Sequence, residues 1–217
     1  MDREALISEL KRKKEISFYV SQVKEDLSMI PLLFDLIDTD KTSLKFACEK
    51  VIRSLSSTNP DLLYPYFDRM AKLLYSENSF IKWGFIQSLP GLIRIDQDHK
   101  WPAVSARYFS LLDSSAVVTF VNAVAGIPQI LSGYPEYENK LVTKLLHVDE
   151  HLFLSRGEPS PECMNVAKEQ IMDCFDAIYK HSSFQKEILI FAQANWENNR
   201  KKVAVKAKRF LKEHTVA

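Results

Sequence analysis

Between Asn59 and Ile95 the chain carries two apolar stripes at helical spacing, one after the other, and a lone helical hairpin has room to bury only one of them. The first runs through Leu62, Leu63, Tyr66, Phe67, Met70, Leu73 and Leu74, behind an Asn59-Pro60 start in which a polar cap precedes a proline at the first helical position. Ser76-Glu77-Asn78-Ser79 interrupts it with capping chemistry. Ile81, Phe85, Ser88, Leu89, Leu92 and Ile95 then form the second. Such a hairpin needs a copy of itself on each side, so this stretch predicts a stack of helical hairpins.

The copies are legible. Residues 28–57 read as a helix from Pro31 through Leu32, Leu33, Leu36 and Ile37, a turn at Asp38-Thr39-Asp40, and a second helix through Leu44, Ala47, Cys48, Val51, Ile52 and Leu55. Residues 99–133 repeat this with Val104, Tyr108, Leu111 and Leu112, a turn at Asp113-Ser114-Ser115, then Val117, Val121, Val124, Ala125, Pro128 and Leu131. In 136–181 the first helix carries Leu141, Val142, Leu145 and Leu146. Residues 149–160 follow as an inserted, projecting loop, and Ser160-Pro161 opens the partner helix. Residues 183–214 close the series with Phe184, Ile188, Leu189 and Ala192 against Val203, Ala207, Phe210 and Leu211. Residues 1–27 form a shorter helical pair, an incomplete cap, with Asp2 capping a helix that turns Ala5, Leu6 and Leu10 inward. Pro90 and Pro128 fall inside second helices and predict kinks or early ends there.

Two registers tie the copies together. The pre-turn pairs Leu36-Ile37, Leu73-Leu74, Leu111-Leu112 and Leu145-Leu146 are spaced by 37, 38 and 34 residues. After each of the first three turns comes a polar, aromatic, small-to-medium triplet: Lys45-Phe46-Ala47, Lys82-Trp83-Gly84 and Thr119-Phe120-Val121. A small residue in that place lets paired helices approach closely. Two helices per period of this size mark an α-solenoid. The expectation is an all-α chain with 1–217 as one domain, a right-handed superhelix of about five antiparallel helical hairpins.

Bulk properties agree with that class. Five glycines in 217 residues argue against a turn-rich all-β fold, and 46% hydrophobic residues suffice for a core. Ser114 to Pro135 holds no charge and is long enough to span a bilayer, but Thr119, Asn122, Pro128, Gln129 and two glycines favour a helix buried in mid-array. No membrane contact is expected. Three cysteines, Cys48, Cys163 and Cys174, have no paired spacing, which argues for reduced thiols and a cytoplasmic setting. The charged start from Asp2 onward predicts no signal peptide.

The repeat pattern resembles HEAT and armadillo-type proteins over about residues 28–214. The turn residues Asp38 and Asp113 and the basic Lys45 and Lys82 fit the loose HEAT pattern, whereas the signature motifs of tetratricopeptide and ankyrin repeats are absent. The resemblance implies a superhelix whose concave wall binds protein segments or nucleic acid, with no catalytic residues. It therefore implies a non-enzymatic protein-binding scaffold.

Few residues suggest chemistry. His147-Val-Asp-Glu-His151 matches the His-x-x-Glu-His pattern of inverted zinc peptidases, but a helical repeat is the wrong context and their third ligand lies far downstream. His147 and His151 read as the solvated end of a helix, and no metal or other cofactor is expected. There is no glycine-rich phosphate loop or nucleophile motif. The global charge is only +1, yet residues 198–214 carry seven Lys/Arg against one acid, leaving a net −5 for the remainder. With Val203, Ala207 and Phe210 buried, Arg200, Lys201, Lys208 and Lys212 are candidate phosphate contacts, and a lysine-rich end cap is the competing reading. A nucleic-acid alternative has a family precedent: helices such as Phe80-Ile-Lys-Trp-Gly resemble the alkylpurine DNA glycosylases. Their catalytic Asp with flanking Trp has no clear match here, since Asp113 and Trp101 are only loosely arranged.

Overall fold

The computed structural model describes residues 1–214, which are mostly helical, with one two-stranded hairpin. The chain forms two compact units, Met1–Val104 and Ser105–Ala217. The first contains α1 (Arg3–Lys11), α2 (Ile16–Glu25), α3 (Met29–Thr39), α4 (Leu44–Thr58), α5 (Pro60–Leu63), α6 (Phe67–Lys72) and α7 (Ser79–Ser88). The helix α8 (Trp101–Ser110) runs across the boundary. The second holds α9 (Val117–Ala125), α10 (Ile127–Gly133), α11 (Glu138–Leu146), β1 (Leu154–Ser155), β2 (Glu158–Pro159), α12 (Pro161–Ile178), α13 (Gln185–Ala194) and α14 (Lys201–His214).

In the first unit α3 and α4 form one hairpin, and α4 packs side by side with α7. Several expected caps are in place. Asp2 Oδ1 accepts from Ala5 N at 2.8 Å, and Asn78 Oδ1 accepts from Phe80 N and Ile81 N at 3.1 and 3.2 Å, each occupying a helix-start donor that has no intrahelical acceptor. Asn59 does not act this way; its side chain makes no cap hydrogen bond at α5. Ala5 lies exposed, while Leu6 and Leu10 are buried as expected.

Proline sets most departures from unbroken helices. The stretch from Pro60 to Leu74 divides into α5, a 3-10 turn at Tyr64–Tyr66, α6 and a 3-10 turn at Leu73–Tyr75. Pro65 lies at the first break, where it supplies no amide and its ring crowds the preceding turn. Pro90 ends α7 early, the chain continuing as a 3-10 segment from Leu89 to Ile95. The second helix expected from Val117 to Leu131 is divided near Pro128 into α9 and α10. That segment is also less buried than its lack of charge suggests. Phe120, Ala123, Val124, Ile127 and Ile130 are in the core, but Val117, Val121, Pro128 and Leu131 are half-buried and Val118 is exposed. Among the described residues no helix is long and apolar enough to cross a membrane.

In the second unit α12 packs against α9 on one side and α14 on the other, with α13 against α14. Ser160 Oγ caps α12 by accepting from Cys163 N at 3.3 Å. The segment before it does not project freely from its base. Phe153 is buried, in edge contact with Phe120 at 5.0 Å, and Leu154 N donates to Ser115 O at 3.0 Å. Only the tip stands out, where Arg156 and Gly157 both have positive φ (53° and 88°), as a tight two-residue hairpin turn requires.

Candidate binding surface

Two surfaces carry the exposed chemistry, one in each unit. The first was only half visible in the sequence. In α4 and α7 the apolar stripes turn Cys48, Val51, Ile52, Ile81 and Phe85 into the core. Phe80 falls outside its stripe and is 66% exposed. Its ring meets Phe46 of α4 edge-on at 5.8 Å and Trp83 of its own helix at 5.4 Å. Lys45 Nζ stands 5.5 Å from the centroid of Phe46. The result is an aromatic cluster spanning two adjacent helices, with Lys45 and Lys82 beside it in sequence. Beside these helices, Ile37, Asp38, Asp40, Lys41, Lys45, Glu77 and Asn78 are among the residues around a hollow of about 520 Å³.

Between α4 and α7, Gly84 leaves room for the Glu49 side chain. A Cβ built there would lie 2.1 Å from Glu49 Oε1 and 2.5 Å from Glu49 Cγ. Glu49 is buried, and Arg53 Nε donates to its Oε1 at 2.9 Å while Arg53 Nη1 donates to Gln87 at 2.8 Å. Burial raises the Glu49 pKa above the ordinary carboxylate value, and the Arg53 charge and hydrogen bond only partly offset this.

The second surface is α14, where the four sequence candidates separate into two groups. Arg200 precedes the helix and is bound by two carboxylates: its Nε donates to Glu169 at 2.8 Å, and Nη1 pairs with Glu162. The Glu169 hydrogen bond raises the Arg200 pKa further. On the other partner, burial pushes Glu169 upward, but Arg200 and Lys206 outweigh it and leave its pKa lowered. The ladder continues with Lys206 to Asp173 at 2.6 Å and Arg209 to Asp176 at 2.8 Å. Much of the basic charge of α14 is thus matched by acids of α12. Lys201, Lys208 and Lys212 are exposed, and the Lys208 Nζ stands 5.3 Å from the centroid of Trp196.

The histidine pair does not share a helix. His147 ends α11 with its Nδ1 2.8 Å from Thr143 O, and His151 lies in extended backbone with Nε2 3.0 Å from Ser114 O. Both line a small pocket of about 230 Å³ with Leu112, Phe120, Lys144, Val148 and Glu150. Asp176, Glu213 and His214 bring ligand-type atoms within 4.8 Å of one another, but the Arg209 guanidinium already pairs with both carboxylates. No nucleophile stands out among the cysteines. All three are free thiols, and burial raises Cys48 to about 12 and Cys174 higher still, which keeps both protonated. Trp101 is fully buried, and Asp113 forms an ion pair with Lys144.

Stacked hairpins with paired second helices define an all-α helical-repeat protein of the α-solenoid class. A designed armadillo repeat protein has a similar structure: the TM-score is 0.57 at 17% identity, over 89% of this chain and 84% of that one. The fold is therefore of the HEAT and armadillo type. No family model and no curated protein matches the sequence.

Proposed function

We propose that this chain is a non-enzymatic, cytoplasmic scaffold that binds another protein through the surface of its helical repeats. The observation that carries the reading is the Phe46–Phe80–Trp83 cluster. Aromatic side chains dominate the energy of protein interfaces because they bury large area at small entropic cost. Phe80 is left 66% exposed beside two other rings, so it offers apolar area beyond what its contacts with Phe46 and Trp83 use. Lys45 at the edge supplies a polar rim. Armadillo-type repeats commonly bind proteins, which agrees with this use of the surface.

Affinity capture from the native host tests the proposal, comparing the wild-type chain with Phe80→Glu and, separately, Lys45→Glu. The expected result is a discrete protein retained by wild type and lost with Phe80→Glu, while circular dichroism and melting are unchanged. An identical capture profile for all three chains would overturn it.

A nucleic-acid reading draws on Lys201, Lys208 and Lys212 along α14. Val205, 55% exposed in the middle of that stripe, would stay uncovered by a phosphate backbone and weighs against it. Burial of Trp101 and the Asp113–Lys144 pair weigh against glycosylase chemistry at those residues. A mobility-shift assay with duplex and single-stranded DNA at low salt decides between the two.

A further inference from the structure

We infer that the outer face of α14 is a docking seam for an acidic helix of another protein. The inference rests on the scaffold reading and places a second contact in the other unit. Along α14 the exposed residues Lys201, Val205, Lys208 and Lys212 follow at steps of four, three and four. That is the spacing at which one helix lies along another, because it keeps a single seam in register over several turns. The four positions span about 16 Å of helix axis at a rise of about 1.5 Å per residue. Val205 is 55% exposed in the middle of the seam, and Trp196, 39% exposed, lies against Lys208. The opposite face, Val203, Ala207, Phe210 and Leu211, is fully occupied by the core.

The chemistry selects the occupant. Three lysines around one valine call for three carboxylates around one apolar side chain, and a helix presents these at matching intervals. Glu162 and Asp173 sit along the α12 edge of α14, bound to Arg200 and Lys206 yet still 63% and 42% exposed at their side chains. They border the seam and confine it to the Lys201–Val205–Lys208–Lys212 line, and a phosphate backbone offers nothing to cover Val205. A second copy meeting this face through a two-fold axis would set lysine against lysine. An acidic helix from a different chain supplies both the carboxylates and the apolar side chain that the seam calls for. The sequence set Arg200, Lys201, Lys208 and Lys212 on the outer face; the structure withdraws Arg200 by pairing it with α12, pairs Lys206 and Arg209 there as well, and leaves Lys201, Lys208 and Lys212 exposed in line with Val205.

The test uses the full chain and a synthetic, fluorescein-labelled helical peptide with Glu at three seam positions and Leu at the fourth. A scrambled peptide of equal composition and a single-stranded oligonucleotide of equal charge are the comparisons. Anisotropy titrations should show the patterned peptide binding about tenfold more tightly than the scramble. Lys208→Glu/Lys212→Glu should lose about tenfold in affinity, and a peptide with Lys in place of Glu should recover binding to that variant. Equal affinity for patterned and scrambled peptides would overturn the inference. So would affinity unchanged by the double substitution, or tighter binding of the oligonucleotide through the same lysines. Failure here, with Phe80→Glu still abolishing protein capture, would remove the seam and leave the scaffold reading standing.

Discussion

Replacing Gly84 with alanine should destabilise the first unit, although the same change in an ordinary helix stabilises. Alanine is favoured over glycine inside a helix by about 1 kcal/mol. Here the new methyl would lie 2.1–2.5 Å from the Glu49 side chain, so the carboxylate must move. Glu49 is buried and held by Arg53, and its displacement disturbs a charged hydrogen bond of about 1.5–3 kcal/mol. Overpacking adds about 1–3 kcal/mol. Subtracting the helix gain leaves a net loss of about 1.5–5 kcal/mol. Urea denaturation followed by tryptophan fluorescence, in a Trp196→Phe background so that Trp83 and Trp101 report, gives the value. The decisive comparison is a double-mutant cycle with Glu49→Ala, which removes the obstructing side chain. In that background Gly84→Ala should become neutral or stabilising by up to about 1 kcal/mol. Stabilisation by Gly84→Ala in the wild-type background would refute the argument that Glu49 occupies the space of that methyl.

Three further outcomes follow from named contacts. Burial raises the Glu49 pKa, so the folded state holds this proton more tightly than the unfolded one, and that contribution to stability fades as pH rises through the raised value. The stability of Glu49→Gln relative to wild type should accordingly increase from pH 4 to neutral in denaturant titrations, and a falling difference would contradict it. Val124→Asp, which puts a charge in the core of α9, should cost about 3–5 kcal/mol, and Val121→Asp clearly less because Val121 is only half-buried; equal melting shifts would count against this packing. Trypsin should cut first after Arg156 at the exposed hairpin tip, and Phe153→Ala should speed that cleavage by releasing the base of the loop; a first cut elsewhere would show that the tip is protected.

The helical hairpins were legible because burial writes itself into sequence at a period of 3.6 residues. Leu36, Ile37, Leu74, Leu111, Leu112 and Leu145 all lie in the core at the ends of first helices. The sequence marked Gly84 as a small position between paired helices; that the Glu49 side chain fills the space beside it was not legible. Helix ends were harder. Pro65 lies within an otherwise regular apolar stripe, and the stripe alone extends through it. The absence of charge between Ser114 and Pro135 suggested deep burial, yet an uncharged residue costs little when exposed, as Val118 shows.

Pairing between neighbouring hairpins was the part that periodicity within one helix does not report. A signal did exist at longer range. Lys206–Asp173 and Arg209–Asp176 are each 33 residues apart, and Arg53–Gln87 and Arg69–Asp35 are 34 apart. Charged or polar partners separated by about one repeat length mark side chains that meet across stacked hairpins. Phe46 and Phe80 follow the same rule at 34 residues. Applied to the sequence, that spacing would have assigned Lys206 and Arg209 to α12 and singled out the aromatic cluster.

Site-specific crosslinking at that cluster tests the scaffold claim most directly. A photoreactive benzoylphenylalanine at position 80 keeps an aromatic ring where Phe80 stands, and the same group at the exposed Lys24 of α2 is the control. Irradiated in native host extract, the position-80 chain should give a discrete covalent adduct with one protein, absent at position 24 and competed away by unlabelled wild-type chain. The same background at both positions, or an adduct at position 80 that nuclease rather than protease removes, would contradict the account.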